Sequence, residues 1–168
     1  MSLFGAVIRY SGPVPKHVTR GVINQILKEG YRLIGIYWQK HLLPKHFTHA
    51  GAREYGYTPR KGEAGSGRKF RGSYTFKKLQ RQGHTKPLVY TGASEQAAKG
   101  GRVTSTSKGV RVTVPARALN FKPPRSNINM RQEVTRISDA EAETLTRLLG
   151  KFVERRLNQL PATSSQKV

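Results

Sequence analysis

The chain has 168 residues, room for one domain or one domain with a long arm, and its 31 Lys and Arg against 9 Asp and Glu leave a formal net charge of +22. A compact body with that charge repels itself, so an acidic partner or a neighbouring subunit has to offset it. The absence of cysteine excludes a disulfide framework, a thiolate nucleophile and a Cys-based zinc site, and nine scattered carboxylates are poor material for acid–base catalysis.

In chain order, residues 3–10 read as a short strand, with Phe4, Ala6, Ile8 and Tyr10 on one face at period two. Ser11, Gly12, Pro13 and Pro15 break it, and this N-terminus lacks the basic start and long apolar run of a signal peptide. A long helix is expected over 16–43, where Val18, Val22, Ile26, Leu33 or Ile34, Tyr37 and His41 recur at helical spacings. Gly21, Gly30 and Gly35 each cost it about 1 kcal/mol relative to Ala, so a continuous helix has to be held by packing, and Glu29-Gly30 is a place where it could break. Pro44 ends it by disfavouring the helical conformation at Leu43. Tyr31, Tyr37 and Trp38 on this helix read either as core packing or as anchors of a subunit interface. The stretch 31–43 is the most apolar in the chain. It is interrupted by Arg32, Gln39, Lys40 and His41 and is too short and too charged to span a bilayer, so no membrane association is expected.

Residues 45–102 carry 13 basic and 3 acidic residues, a net of +10. Within them, 57–86 reads as a basic, Gly-rich arm or loop, extended over 57–72, with a short helix over 74–82 that places Phe76 and Leu79 on one side. Residues 87–90 are a short apolar strand, and Thr91-Gly92 opens a short helix reaching Lys99. Residues 103–106 and 110–114 then form a hairpin around Ser107-Lys108-Gly109, with Gly109 supplying a positive φ. Residues 116–121 extend the pairing, 122–129 form a Pro-Pro loop and 130–137 alternate as a last strand.

Ser138-Asp139-Ala140-Glu141 is a capping box. It opens a helix whose stripe is Leu145, Leu148, Leu149, Phe152, Val153 and Leu157, with acids in the first turn and Lys151, Arg155 and Arg156 near the far end, the signs the helix dipole favours. This helix is expected to bury its stripe against the β region. Pro161 stops it, and 161–168 form a flexible polar tail. The expected fold is a single α+β domain over 1–168: a small antiparallel β region, one long N-terminal helix, one C-terminal helix and an extended basic arm.

The arm carries the chemistry. Arg60, Lys61, Arg68, Lys69, Arg71, Lys77, Lys78, Arg81 and Lys86 are interleaved with or flanked by Phe47, Tyr55, Tyr57, Phe70, Tyr74, Phe76 and Tyr90. Cations neutralise phosphates without reading sequence, and aromatics stack on unpaired bases. Contact with nucleic acid or with an acidic protein surface is the reading. No RNA-recognition signature, zinc finger or helix-turn-helix supports sequence-specific readout. His41, His46 and His49 are spaced closely enough for a divalent metal, but HExxH is absent and Glu54 is the nearest carboxylate, so they are read as polar residues at a helix end and no metal site or cofactor is expected. Gly62 to Lys69 fails the phosphate-loop spacing, since Arg68-Lys69 is followed by Phe70. No catalytic residue is assigned.

The series His46-Phe47-Thr48, Tyr55-Gly56-Tyr57, Arg60, Tyr74, Lys77-Lys78 and Gly83-His84-Thr85-Lys86-Pro87-Leu88-Val89-Tyr90-Thr91-Gly92 resembles, in order and cadence, the virion-morphogenesis and tail-completion proteins of tailed bacteriophages. The likeness covers about residues 33–114. Ala93-Ser94-Glu95 follows Thr91-Gly92 where members usually have an apolar residue and then basic ones. The resemblance implies a non-enzymatic structural protein at the head–tail junction, in the neck or tail of a virion and in host cytoplasm during assembly. It also implies a homo-oligomeric ring, with adjacent head and tail proteins as partners and packaged DNA contacted without sequence readout. The alternative from a different class is an RNA-binding ribosomal protein with a basic arm.

Overall fold

The computed structural model describes residues 18–60, 68–89, 91–115 and 128–160. The architecture is α+β. Helix α1 (Arg20–Tyr37) runs directly into a π-helical turn (Trp38–Leu42) and a 3-10 turn (Leu43–Phe47). Helices α2 (His49–Glu54), α3 (Arg68–Arg71), α4 (Tyr74–Gln82) and α5 (Ala93–Lys99) follow, then the two-stranded hairpin β1 (Arg102–Thr106) and β2 (Gly109–Thr113), and finally α6 (Met130–Val134) and α7 (Asp139–Asn158). The described residues group into two compact units that alternate along the chain. One holds 18–38, 103–112 and 139–160, the other 39–60, 68–89, 91–102, 113–115 and 128–138.

In the first unit α1 packs on α7. Thr19 caps α1, its hydroxyl accepting from the Val22 amide at 3.4 Å. The buried side of α1 is Ile26, Gly30, Tyr31, Ile34 and Gly35, and that of α7 is Leu145, Leu149, Val153 and Leu157, with Glu141. The helix continues through Gly30 and Gly35 because both glycines sit at close approaches. A Cβ on Gly30 would lie 2.6 Å from Leu149 Cδ1, and one on Gly35 would lie 2.5 Å from Val110 Cγ2 and 2.7 Å from Val103 Cγ1. The propensity lost at these positions is recovered as packing. Of the expected stripe Ile26 and Ile34 are buried, Tyr37 is half-buried and Val22 is exposed, as is Leu33, the alternative to Ile34; Tyr31 and Trp38 also enter the core. The C-terminal helix finds its partner in α1 rather than mainly in the β region, and Leu148 and Phe152 lie at the half-buried margin of its stripe.

In the second unit the π turn brings Gln39 inward, where its amide donates to the carbonyls of Lys99 (3.1 Å) and Gly101 (2.6 Å). The expectation that Pro44 ends a helix running to Leu43 is corrected: the regular helix already gives way at Tyr37 to the π turn, and Leu43 opens the 3-10 turn, with Pro44 in its first positions, where a missing N–H costs no helical hydrogen bond. Leu43, His46 and Phe47 of that turn are fully enclosed, and α2, α5 and α6 pack around it. Helix α2 is capped by Thr48, which accepts from the Gly51 amide at 3.0 Å.

The hairpin and α5 form where the sequence places them. Three further expectations are corrected. Residues 130–134 are helical, not a strand: Asn129 caps them, its side chain accepting from the Gln132 amide at 3.0 Å. Residues 87–88 form a turn, with Leu88 buried at φ 56°, a left-handed value that breaks the extended run expected over 87–90. Gly109 is not among the glycines at positive φ; the Thr106 hydroxyl supports the hairpin turn by accepting from the Lys108 amide at 3.2 Å. The expected strands at 3–10 and 116–121, most of the loop 122–129 and the tail 161–168 lie outside the described residues.

Candidate polyanion-binding face

The basic segment is built on the second unit, and the described part of it is folded. Ser73 caps α4 by accepting from the Phe76 amide at 3.1 Å, and Gly83 closes the helix at φ 69°, the left-handed value that glycine takes without strain. Phe70 of α3 meets Phe76 of α4 edge to face, with ring centroids 5.3 Å apart, which fixes the two helices against each other. Thr75 and Lys78 face inward, while Tyr74, Lys77, Gln80 and Arg81 face solvent.

The nine predicted contact residues divide sharply. Arg68, Arg71, Lys77, Arg81 and Lys86 are exposed. Lys78 is buried and its ammonium donates to the Lys86 carbonyl. Arg60 is taken by Glu133, donating from Nη1 at 2.9 Å and Nη2 at 2.6 Å. Lys61 and the side chain of Lys69 lie outside the described residues. Arg60 and Lys78 therefore hold the fold together rather than face a partner. The aromatic interface candidates divide too: Tyr31 and Trp38 are core residues, which is the packing reading, and Tyr37 is half-buried.

The anchor beneath the segment was not visible in the sequence. Glu133 also accepts from the Thr58 amide at 3.1 Å, and Arg136 donates to the carbonyls of Tyr55 (2.9 Å) and Gly56 (2.6 Å). Two side chains from the α6 region thus clamp residues 55–60. Behind the clamp, His46 bonds the Tyr57 hydroxyl through Nδ1 at 2.6 Å and stacks on Tyr55 with centroids 3.8 Å apart. Burial lowers its pKa to about 4, against a raising contribution from the hydrogen bond with the Glu133 backbone. His46 is thus neutral at pH 7 and belongs to a packed aromatic cluster. Among the described residues no three His, Asp or Glu side chains gather in a way that could hold a metal ion.

Charge in this unit is one-sided. Its described carboxylates are Glu54, Glu95 and Glu133. They are engaged by the Ser138 hydroxyl at 3.3 Å, by Lys99 at 3.2 Å and by Arg60 respectively. The sequence holds no acidic residue from 64 to 94. The exposed cations Arg68, Arg71, Lys77, Arg81 and Lys86, with Arg53 on α2, take part in none of the ion pairs among the described residues. Arg53 was not singled out in the sequence, where nothing but its charge marks it. Unopposed cations on a folded surface attract polyanions and release counterions on contact.

Among the described residues no helix is long and apolar enough to cross a membrane. Comparison of the chain with protein-family models, with curated proteins and with solved structures finds no match in any of the three.

Proposed function

We propose that the protein is a non-enzymatic structural subunit of a phage-like particle. It acts at the head–tail junction as a tail-completion or neck component, assembles into a homo-oligomeric ring, and meets neighbouring virion proteins and packaged DNA through the basic face of α3 and α4. The observation that carries this reading is the set of exposed cations from Arg68 to Lys86 standing on a unit whose described carboxylates are all engaged internally. A monomer keeps that charge only at an electrostatic cost, and an assembly with an acidic neighbour or nucleic acid removes it. The cadence of residues 33–114 supplies the particular assembly.

Identical subunits joined head to tail close into a ring when the rotation permits. The test is size-exclusion chromatography with light scattering, followed by negative-stain microscopy, on the purified chain with and without duplex DNA. Uniform rings are expected. A monomer under both conditions, binding ribosomal RNA and not joining virion proteins, would move the assignment to a ribosomal RNA-binding protein.

A further inference from the structure

We infer that the outer face of the β1–β2 hairpin is a contact surface for double-stranded DNA, lying in the major groove with Lys108 and Arg111 on the phosphates and Thr104 against the base edges. This goes beyond the proposed contact through α3 and α4 by adding a second surface from a different part of the chain, and it does not depend on ring formation.

The two strands are joined by a two-residue turn, Ser107-Lys108, which sets Thr106 opposite Gly109, Ser105 opposite Val110 and Thr104 opposite Arg111. Exposure follows that register. Val110 is buried and Val103, Ser105 and Val112 are half-buried, whereas Thr104, Thr106 and Arg111 are exposed, as is Lys108 at the tip. The inner face is packed on α1: Val103 and Val110 close on Gly35, where an added Cβ would lie 2.7 Å from the one and 2.5 Å from the other. The Thr106 hydroxyl accepts from the Lys108 amide at 3.2 Å and fixes the tip. The outer face is thus held in place from behind and left to solvent.

Its charge has one sign. The sequence holds no acidic residue from 96 to 132. Lys108 and Arg111 take part in none of the ion pairs among the described residues. Such a face attracts polyanions. It carries no large apolar or aromatic side chain, the material from which the core of a protein–protein interface is made, so an acidic protein is the poorer fit. Shape then selects among nucleic acids. Paired strands lie about 5 Å apart and five residues span about 17 Å. The major groove of B-form DNA, about 12 Å wide, admits a ribbon of that size. The corresponding groove of an RNA duplex is deep and too narrow for side chains to read, and a single strand has no groove. Thr104 suits a groove floor because a hydroxyl both donates and accepts, and so meets any base edge without choosing among sequences.

The experiment is a fluorescence-anisotropy titration of the full chain at several salt concentrations, using labelled duplex DNA, duplex RNA of equal length and poly-glutamate. Wild type is compared with Lys108→Gln/Arg111→Gln, with Thr104→Val, and with Arg68→Ser/Arg71→Ser/Lys77→Ser/Arg81→Ser on α3 and α4. The substituted hairpin positions are exposed, and far-UV circular dichroism verifies that each variant is folded. The double hairpin variant is expected to bind duplex DNA about tenfold more weakly, with a slope of log affinity against log salt shallower by about 2, and to keep its affinity for duplex RNA and poly-glutamate. Thr104→Val changes no charge and keeps strand propensity. It is expected to weaken duplex DNA about threefold, the worth of one hydrogen bond, and to leave duplex RNA unchanged. The inference is overturned if either hairpin variant binds duplex DNA as wild type does, or if the double variant weakens all three probes alike. The α3–α4 variant then reads the proposed function separately: if it binds more weakly, that basic face stands as a contact and only the hairpin assignment falls. If wild type binds none of the probes, both fall.

Discussion

Glu133 receives both terminal nitrogens of the Arg60 guanidinium, at 2.9 and 2.6 Å, across 73 positions of sequence. The carboxylate is almost wholly enclosed, and it is also the acceptor for the Thr58 amide. One buried side chain on a five-residue helix thus fixes the chain where the basic segment begins. Glu133→Ala would remove the acceptor of the Thr58 amide and the carboxylate that pairs the Arg60 guanidinium, leaving Arg60 Nη1 on the Thr58 carbonyl. The expected cost is about 3–5 kcal/mol, the usual penalty for removing one partner of a buried pair, read as a shift of the urea midpoint by far-UV circular dichroism. A loss under about 1 kcal/mol, the worth of an exposed pair, would mean that the clamp is not structural.

His46 makes stability depend on pH in a definite direction. Its folded pKa is about 4 because burial disfavours the charged ring, and its unfolded value is 6.5. Between these values the unfolded chain binds a proton that the folded chain refuses. The stabilising contribution is therefore complete above pH 6.5 and is lost as pH falls toward 4. The full difference is about 3 kcal/mol at 1.36 kcal/mol for each pH unit. Denaturation at a series of pH values should show this decline in wild type and a shallower one in His46→Phe. Equal slopes would contradict the assignment.

Two glycines in helices should respond oppositely to the same change. Gly30→Ala places a methyl 2.6 Å from Leu149 Cδ1 and 3.1 Å from Phe152 Cδ1, so it should destabilise by about 1–3 kcal/mol despite the better helix former. Gly150 in α7 has nothing within 4 Å of the position a Cβ would take, and Gly150→Ala should stabilise by up to about 1 kcal/mol. Thermal melts of both variants are the check, and a stabilising Gly30→Ala would show that α1 and α7 are not closely packed there.

Leu149→Ala removes a fully buried side chain and should cost about 2–5 kcal/mol, whereas Leu148→Ala, one residue earlier at the half-buried margin, should cost less. Chemical denaturation of the pair measures the difference, and equal losses would contradict the observed orientation of α7.

The sequence carried the local signals well and the distant ones poorly. The apolar spacing over 139–158 and the acids of its first turn marked α7, the Gly92 start marked α5, and the Ser107-Lys108 turn between valine-rich strands marked the hairpin. Each is written within a few residues. The spacing of Met130, Gln132 and Val134 imitates a strand, and only the Asn129 cap reveals a helix. Which face of α1 is buried depends on Leu149 and Phe152 approaching Gly30 from more than a hundred residues away, so the spacing alone leaves Leu33 and Ile34 undecided, where Ile34 is the buried one, and puts Val22 inside, where it is exposed. At the candidate site, composition located the basic segment. It could not separate Arg60 and Lys78, which are consumed by Glu133 and the Lys86 carbonyl, from the cations that remain on the surface.

The central claim is that exposed cations of α3 and α4 form a contact surface for polyanions. The most direct measurement is the salt dependence of duplex DNA binding by wild type and by the variant carrying Arg68→Ser, Arg71→Ser, Lys77→Ser and Arg81→Ser. Each neutralised phosphate contributes about 0.9 to the slope of log affinity against log salt. The variant is predicted to bind more weakly, with a slope shallower by about 3 to 4. The same affinity and slope in both proteins would contradict the account.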